Sequence, residues 1–203
     1  MNNFDKTLLG CFSRKELEKI KKTKLLIIGC GGLGSNAAAI LIRTGFSDLV
    51  LTDFDVVNAE NLNRQNFSFT QCGMKKVVAL KKNLLKINPW AKIKTICEKV
   101  DGKKLREIIF REKIDVIIEA VDVTETKKII FEESLKFKKR VVAASGVAGY
   151  GDCENIKVKR GKNFSVIGDM IKSTKDFKPF APKVSAVAAM QADEVLRMVL
   201  DNE

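Results

Sequence analysis

Residues 25 to 34 read LLIIGCGGLG, an apolar run of strand length that breaks into Gly29, Gly31, Gly32 and Gly34, and an Ala-rich helical pattern resumes over 35 to 42. A strand, a tight turn and a helix N-terminus in that order restrict the chain to folds built from β-α-β units. Glycine is needed there for two reasons: the turn uses backbone angles that a side chain forbids, and a Cβ would keep phosphate away from the amides. A second strand of buried character, 49 to 53 (LVLTD), ends at Asp53, about twenty residues beyond the last glycine. A carboxylate at that place accepts ribose hydroxyls.

The rest of the chain continues the alternation. Ser13 and Glu16 form a capping-box pattern that opens a polar helix over 13 to 22. After Asp53 comes an irregular stretch rich in Asn, from Asp55 to Gly73, of a length that usually marks function. Val77, Leu80, Leu84 and Ile87 then fall at helical spacing over 75 to 87, and Asn88-Pro89 ends that helix. A strand near 92 to 97 and a helix over 103 to 112 follow. The apolar run 114 to 121 (IDVIIEAV) reads as a strand buried on both faces and stops before Asp122. A helix near 124 to 137 and a strand over 140 to 144 complete a pattern that predicts an α/β, Rossmann-like three-layer fold with a mostly parallel central sheet. Any nucleotide should lie across the carboxyl ends of its strands. Beyond Ser145 the pattern weakens: one or two short strands fall within 156 to 167, irregular chain covers 172 to 182, and a last helix covers 183 to 200.

Length and composition set outer bounds. A chain of 203 residues with 45% hydrophobic content suits one domain, divided here into an N-terminal helical segment (1–23), a nucleotide-binding core (24–150) and a C-terminal region (151–203). No run approaches the roughly 18 apolar residues of a membrane span, and the N-terminus lacks a signal pattern, so a cytoplasmic protein without membrane attachment is expected. The formal charge is +12, mostly from lysines dispersed over nearly every segment. Dispersed lysine reads first as a solvated face; a positive surface would also suit an acidic protein partner or RNA. With 7% aromatic residues there is little for base stacking, so a nucleic-acid partner is not favoured. Cys11, Cys30, Cys72, Cys97 and Cys153 form no CxxC pair and histidine is absent, which supports neither a disulfide framework nor a zinc site. The cysteines are read as reduced, mostly structural thiols.

Taken singly, the charged residues behind the glycine turn have plain readings. Arg64 and Lys76 could be surface cations, Asp122 could cap the helix near Thr124, and Asp53 with the glycines would serve any dinucleotide. In order, however, Gly29-x-Gly31-Gly32-Leu33-Gly34, Asp53-x-Asp55, Asn61-Leu62-Asn63-Arg64-Gln65, Gly73 to Lys76, Asn88-Pro89 and Asp122 resemble the ThiF/MoeB/HesA family, bacterial relatives of ubiquitin-activating enzymes, over roughly 24 to 150. The stretches GVAGYG (146–151) and APKVSAVAAMQA (181–192) are similar to a short ThiF-like subgroup found beside thiamine-synthesis genes.

The resemblance implies ATP-dependent adenylation of the C-terminal Gly-Gly carboxylate of a small ubiquitin-like sulfur carrier, with release of pyrophosphate. A carboxylate is already ionised at neutral pH, so attack on the α-phosphorus needs no general base and a chain without histidine can perform it. The barrier is electrostatic, and positioning and charge neutralisation should lower it. Carried over by motif, Gly29, Gly31, Gly32 and Gly34 shape the phosphate turn and Asp53 takes the ribose. Arg64 clamps the β/γ-phosphates, Lys76 meets the α-phosphate, Asp55, Asn61 and Gln65 add polar contacts, and Asp122 holds Mg²⁺. Arg14 could cross a dimer to the neighbour's ATP, although the family's opening motif is absent and the residue also reads as an ordinary exposed helix position. The two CxxC pairs of many relatives are missing, so no zinc is expected. Cys153 lacks the motif of a carrier-linked cysteine, which would leave the activity to stop at the acyl-adenylate. A homodimer is implied, with the apolar face of the last helix as either its interface or ordinary core, and the segment 145 to 182 would form the channel for the Gly-Gly tail. The competing readings are an NAD-dependent oxidoreductase, a tRNA-modifying member of the same superfamily that activates a carboxylate on a nucleoside, and a non-catalytic nucleotide-binding module.

Overall fold

The computed structural model describes residues 2–201. Two short helices, α1 (Asn3–Leu8) and α2 (Arg14–Lys22), each begin at a complete capping box, Asn2 with Asp5 and Ser13 with Glu16. The first of these helices was not expected from the sequence. Then β1 (Lys24–Ile28), α3 (Gly32–Thr44), β2 (Asp48–Thr52), α4 (Lys76–Ile87), β3 (Lys92–Ile96), α5 (Gly102–Glu112), β4 (Val116–Glu119), α6 (Thr124–Lys136) and β5 (Arg140–Ala144) alternate as predicted. The segment 156 to 167 resolves into two strands, β6 (Lys157–Arg160) and β7 (Phe164–Gly168), and the chain closes with α7 (Ala181–Leu200).

The seven strands form one sheet in the order β3-β2-β1-β4-β5-β7-β6. Every pairing is parallel except β6 with β7, so the predicted three-layer Rossmann-like fold is what the chain adopts. The alternation of side chains along each strand fills two cores. Leu25, Ile27, Leu49, Leu51, Val116 and Ile118 face one side, where α3, α4 and α7 pack. Leu26, Ile28, Val50, Ile117 and Val141 face the other, against α5 and α6. Strand order reverses between β1 and β4, and a crevice opens at that switch point beyond the carboxyl ends of the strands.

One open alternative is decided here and one sequence expectation changes. The apolar residues of the last helix, Val184, Val187, Ala188, Val195, Met198 and Val199, are all buried within this chain, where α7 lies along α3. They are core, so that face supplies no argument for a dimer. Among the cysteines only Cys30 is buried, while Cys11, Cys72, Cys97 and Cys153 are exposed, so most are not structural. Among the described residues no helix is long and apolar enough to cross a membrane.

Candidate active site

A cavity of about 1160 Å³ opens at the crevice and is lined by Gly29, Gly31, Gly32, Asp53, Asp55, Asn61, Arg64, Gln65, Lys76 and Asp122. Gly34, Arg14 and Cys153 do not line it. Gly34 nevertheless belongs to its construction. A Cβ there would stand 1.8 Å from the carbonyl oxygen of Gly29, so the glycine lets α3 seat directly on the turn. Gly29 itself has φ +92°, and a Cβ on it would meet the Ala120 carbonyl of β4's extension at 2.6 Å. Gly31 differs: the nearest protein atom to its Cβ position is Gln65 Nε2 at 3.7 Å. No protein atom demands a glycine at 31; the open side is the cavity, where a ligand would approach.

The sequence places the helix start at residue 35, but α3 begins at Gly32, with Gly31 as its N-cap and no side chain bonding its first amides. Uncapped amides at a helix N-terminus attract an anion, and of these Gly32 and Leu33 line the cavity. Asp53 holds the turn in place: Oδ2 accepts from the Cys30 amide at 2.6 Å and Oδ1 from the Asp55 amide at 2.8 Å. Each oxygen keeps a second acceptor position for a hydroxyl.

The long loop after β2 is ordered because α3 grips it. Asn36 Nδ2 donates to the Arg64 carbonyl at 3.0 Å, and the Asn66 amide donates to Ser35 Oγ at 3.0 Å. Arg64 lies partly exposed at the cavity; its Nη1 donates to Asn63 Oδ1 at 2.8 Å and to the Glu60 carbonyl at 3.4 Å, which leaves Nε and Nη2 open. Gln65 is buried and its Oε1 has no hydrogen-bond partner among the described residues, which leaves an acceptor beside Gly31. Lys76 is no surface cation: its side chain is 8% exposed, and Nζ bonds Asp55 Oδ2 at 2.9 Å. An incoming phosphate would compete with Asp55 for this ammonium.

Strand β4 ends at Glu119, two residues before the apolar run does, so Asp122 lies exposed in the following loop, three residues past the strand rather than at its end. It does not cap α6, whose N-cap is Val123 with no side-chain bond. Its carboxylate has no partner among the described residues. No cluster of three His, Cys, Asp or Glu side chains suited to a metal exists among the described residues. A single free carboxylate of this kind fits Mg²⁺ that takes its other ligands from phosphate oxygens and water, and it does not fit a metal caged by protein alone.

Sequence reasoning missed the support beneath Asp122. Glu119 is 1% exposed and receives Lys127 Nζ at 2.9 and 3.0 Å on its two oxygens, together with the Val121 amide at 2.8 Å. Lys127 also donates to the Ala144 carbonyl at 3.0 Å, so one ammonium ties α6 to the ends of β4 and β5. Burial pushes the Glu119 carboxyl above the usual carboxylate range despite the lysine beside it. The available signal is an acid at the end of a buried strand with a lysine eight residues later, in the first turn of the next helix.

The model of the ThiF family matches residues 5–203. The chain is 45% identical over 93 residues to molybdopterin-synthase adenylyltransferase of Haemophilus influenzae, and 43% identical over 81 residues to ubiquitin-like modifier-activating enzyme 5 of Culex quinquefasciatus. Those matches cover 45% and 40% of this chain but only 38% and 20% of the relatives' own lengths. Among solved structures, Escherichia coli tRNA N6-threonylcarbamoyladenosine dehydratase, TcdA, in complex with AMP is similar with a TM-score of 0.87 at 18% identity, covering 97% of this chain and 93% of that one. Escherichia coli MccB with ATP gives a TM-score of 0.74 at 22% identity, over 98% of this chain and 64% of that one. Both structural likenesses concern the fold. With the family model spanning nearly all of its length and its ordered motif residues gathered around one cavity, the chain belongs to the ThiF family.

Proposed function

We propose that this protein adenylates the C-terminal Gly-Gly carboxylate of a ubiquitin-like sulfur carrier of the ThiS type at the expense of ATP, in thiamine synthesis, with the whole chain acting as one adenylation domain. The observation that carries this reading is the joining, in one cavity, of a helix N-terminus with Arg64, Lys76 and an unpartnered Asp122. A hydride-transfer site would need the first of these and has no use for the others.

In the proposed reaction a carboxylate oxygen of the carrier attacks the α-phosphorus. The bond from that phosphorus to the bridging oxygen breaks, and pyrophosphate leaves with the electron pair. The products are an acyl-adenylate and pyrophosphate, and no proton has to move. The amides of Gly32 and Leu33 and the fork of Arg64 would bind the phosphates, with Asn61 and Gln65 as further polar contacts. Lys76 would exchange Asp55 for the α-phosphate as negative charge grows there. Asp53 would orient the ribose. Asp122 would hold Mg²⁺, which supplies charge neutralisation on the polyphosphate when bound. The segment 145–182 contributes Ser145, Gly146, Ile171 and Lys172 to the same cavity, which supports it as the approach for an extended tail. We also propose a cytoplasmic homodimer, on the family resemblance alone.

The net charge of +12 favours a second reading, a carboxylate on a tRNA nucleoside as substrate. ATP–pyrophosphate exchange, with and without a ThiS-type carrier, separates the two. Carrier-dependent exchange that disappears in Asp122→Ala supports the first. Carrier-independent inactivity together with retention on tRNA at physiological salt overturns it in favour of the second.

A further inference from the structure

The stretches GVAGYG and APKVSAVAAMQA are joined in the fold through the residues that follow or begin them. Lys183 stands in the first turn of α7, where a helix least favours a cation, and its side chain is 0% exposed. Its ammonium bonds Asp169 Oδ2 at 2.6 Å and Asp152 Oδ2 at 2.9 Å. Asp152 is also held by Lys172 at 2.8 Å. The second oxygen of Asp169 accepts from the amides of Ile171 at 2.7 Å and Lys172 at 2.8 Å. One buried ammonium therefore anchors the carboxylate that shapes the turn from 168 to 172.

That turn is conformationally costly. Met170 has φ +63°, a left-handed conformation that a residue with a Cβ rarely adopts, and Gly168 has φ +143°. Gly146 lies so close beneath it that a Cβ would stand 1.9 Å from Asp169 Oδ1. The result is part of the cavity wall, contributed by Gly146, Ile171, Lys172 and Ser173. Val184, the next residue along α7, packs at the phosphate turn, 2.9 Å from where a Cβ on Gly32 would stand. Adjacent residues of one helix thus touch both regions of the site. Stability alone gives little reason for the arrangement, because apolar packing often serves as well as a buried ion pair. An ammonium between two carboxylates supplies a defined position for the backbone they hold.

We propose that Lys183, acting through Asp169 and Asp152, is a positioning residue that holds the turn 168–173 as the wall against which the tail of the acyl substrate lies; this rests on the adenylation proposed above. No bond of this network reaches Gly31, Arg64, Lys76 or Asp122, so the nucleotide side is built without it.

The test is pyrophosphate exchange with a ThiS-type carrier on the whole protein and its Lys183→Met variant, with ATP binding followed by calorimetry. The expected result is a rise of about tenfold or more in KM for the carrier with ATP affinity within about twofold of the wild type. A smaller rise, or an equal loss of ATP affinity, overturns the proposal. If Lys183→Met does not fold, Asp152→Asn, which leaves the Lys183–Asp169 bond in place, is read in the same assay against the same criterion. Amide hydrogen exchange at Ile171 and Lys172 keeps the two readings apart, since it needs no substrate. Faster exchange at these amides with α3 unchanged supports the positioning role even where the wild type shows no carrier-dependent exchange, an outcome that overturns the adenylation reading alone. Unchanged exchange there overturns the positioning role.

Discussion

Lys127→Met should destabilise the protein strongly at neutral pH and much less in mild acid. The substitution removes two of the three bonds to Glu119, at 2.9 and 3.0 Å, and keeps the Val121 amide at 2.8 Å. Breaking one side of a buried ion pair costs about 3–5 kcal/mol, because the surviving charge stays buried without compensation. Glu119 can escape only by taking up a proton. The wild-type carboxyl is already raised by burial, and loss of the lysine raises it further. A carboxyl with a folded pKa above its unfolded value of about 4.3 loses stability as pH rises through that interval, at up to about 1.4 kcal/mol per pH unit. A penalty of about 3–5 kcal/mol at pH 7.5 should therefore shrink to about 1–2 kcal/mol at pH 5.5. At roughly 2–4 °C per kcal/mol for a chain of this size, Tm should fall by about 6–20 °C at the higher pH. Urea denaturation followed by circular dichroism at the two pH values measures this directly. The double variant Glu119→Gln with Lys127→Met, which carries no buried charge, should recover to within about 2 kcal/mol of the wild type at both. A loss below about 1 kcal/mol at pH 7.5, or a larger loss at pH 5.5 than at 7.5, would refute the reasoning.

Other outcomes follow from the same geometry. Gly34→Ala places a Cβ 1.8 Å from the Gly29 carbonyl, so it should destabilise by about 2 kcal/mol or more and weaken ATP binding, read by denaturation and calorimetry. The Glu112 carboxyl is lowered to about 2, first by its hydrogen bond from Lys94 and also by Arg111. Its contribution is present above the unfolded pKa and is lost as pH falls from about 4.5 toward 2. Screening at half-exposed Lys94 reduces it to about 1–2 kcal/mol, so Glu112→Gln should differ from wild type at pH 6 and converge with it near pH 2. A thiol reagent should modify Cys11, Cys72, Cys97 and Cys153 in the native protein and Cys30 only after unfolding, because Cys30 is enclosed and burial holds its thiol well above the ordinary range. Native modification of all five would contradict the fold around β1.

Much of the architecture was legible because it rests on local pattern. A strand buried on both faces, such as Val116–Glu119, reads as an unbroken apolar run, and α4 shows its core-facing residues at regular spacing. β6 escaped a firm assignment because it is an exposed edge strand of sequence KVKR with no apolar face to betray it. The start of α3 was read three residues late because Gly32 and Gly34 look like turn, whereas close approach to Val184 and Gly29 is what requires them inside the helix. The exposed cysteines run against the sequence expectation, and the face of α7 stays open between core and interface in the sequence, for a related reason: composition does not say which side of an element meets its own chain.

For the candidate site, the glycine turn and Asp53 are legible as local strand–turn–helix pattern, whereas Arg64, Lys76 and Asp122 stand out only through the family resemblance; parallel topology, which delivers strand ends to one crevice, is what brings them to one cavity. What remained hidden were pairings between distant charges. Glu119 sits in an apolar run, and nothing near it in sequence says that Lys127 neutralises it. Lys183 looks like one more solvated lysine until packing encloses it between Asp169 and Asp152. Periodicity and spacing report which face a residue occupies, but the identity of a buried ion's partner depends on where other elements come to rest. For Glu119 that is decided by α6 coming to rest over the end of β4, and for Lys183 by α7 settling across the sheet against α3, which puts Val184 at the phosphate turn and Lys183, just before it, behind the wall beside it.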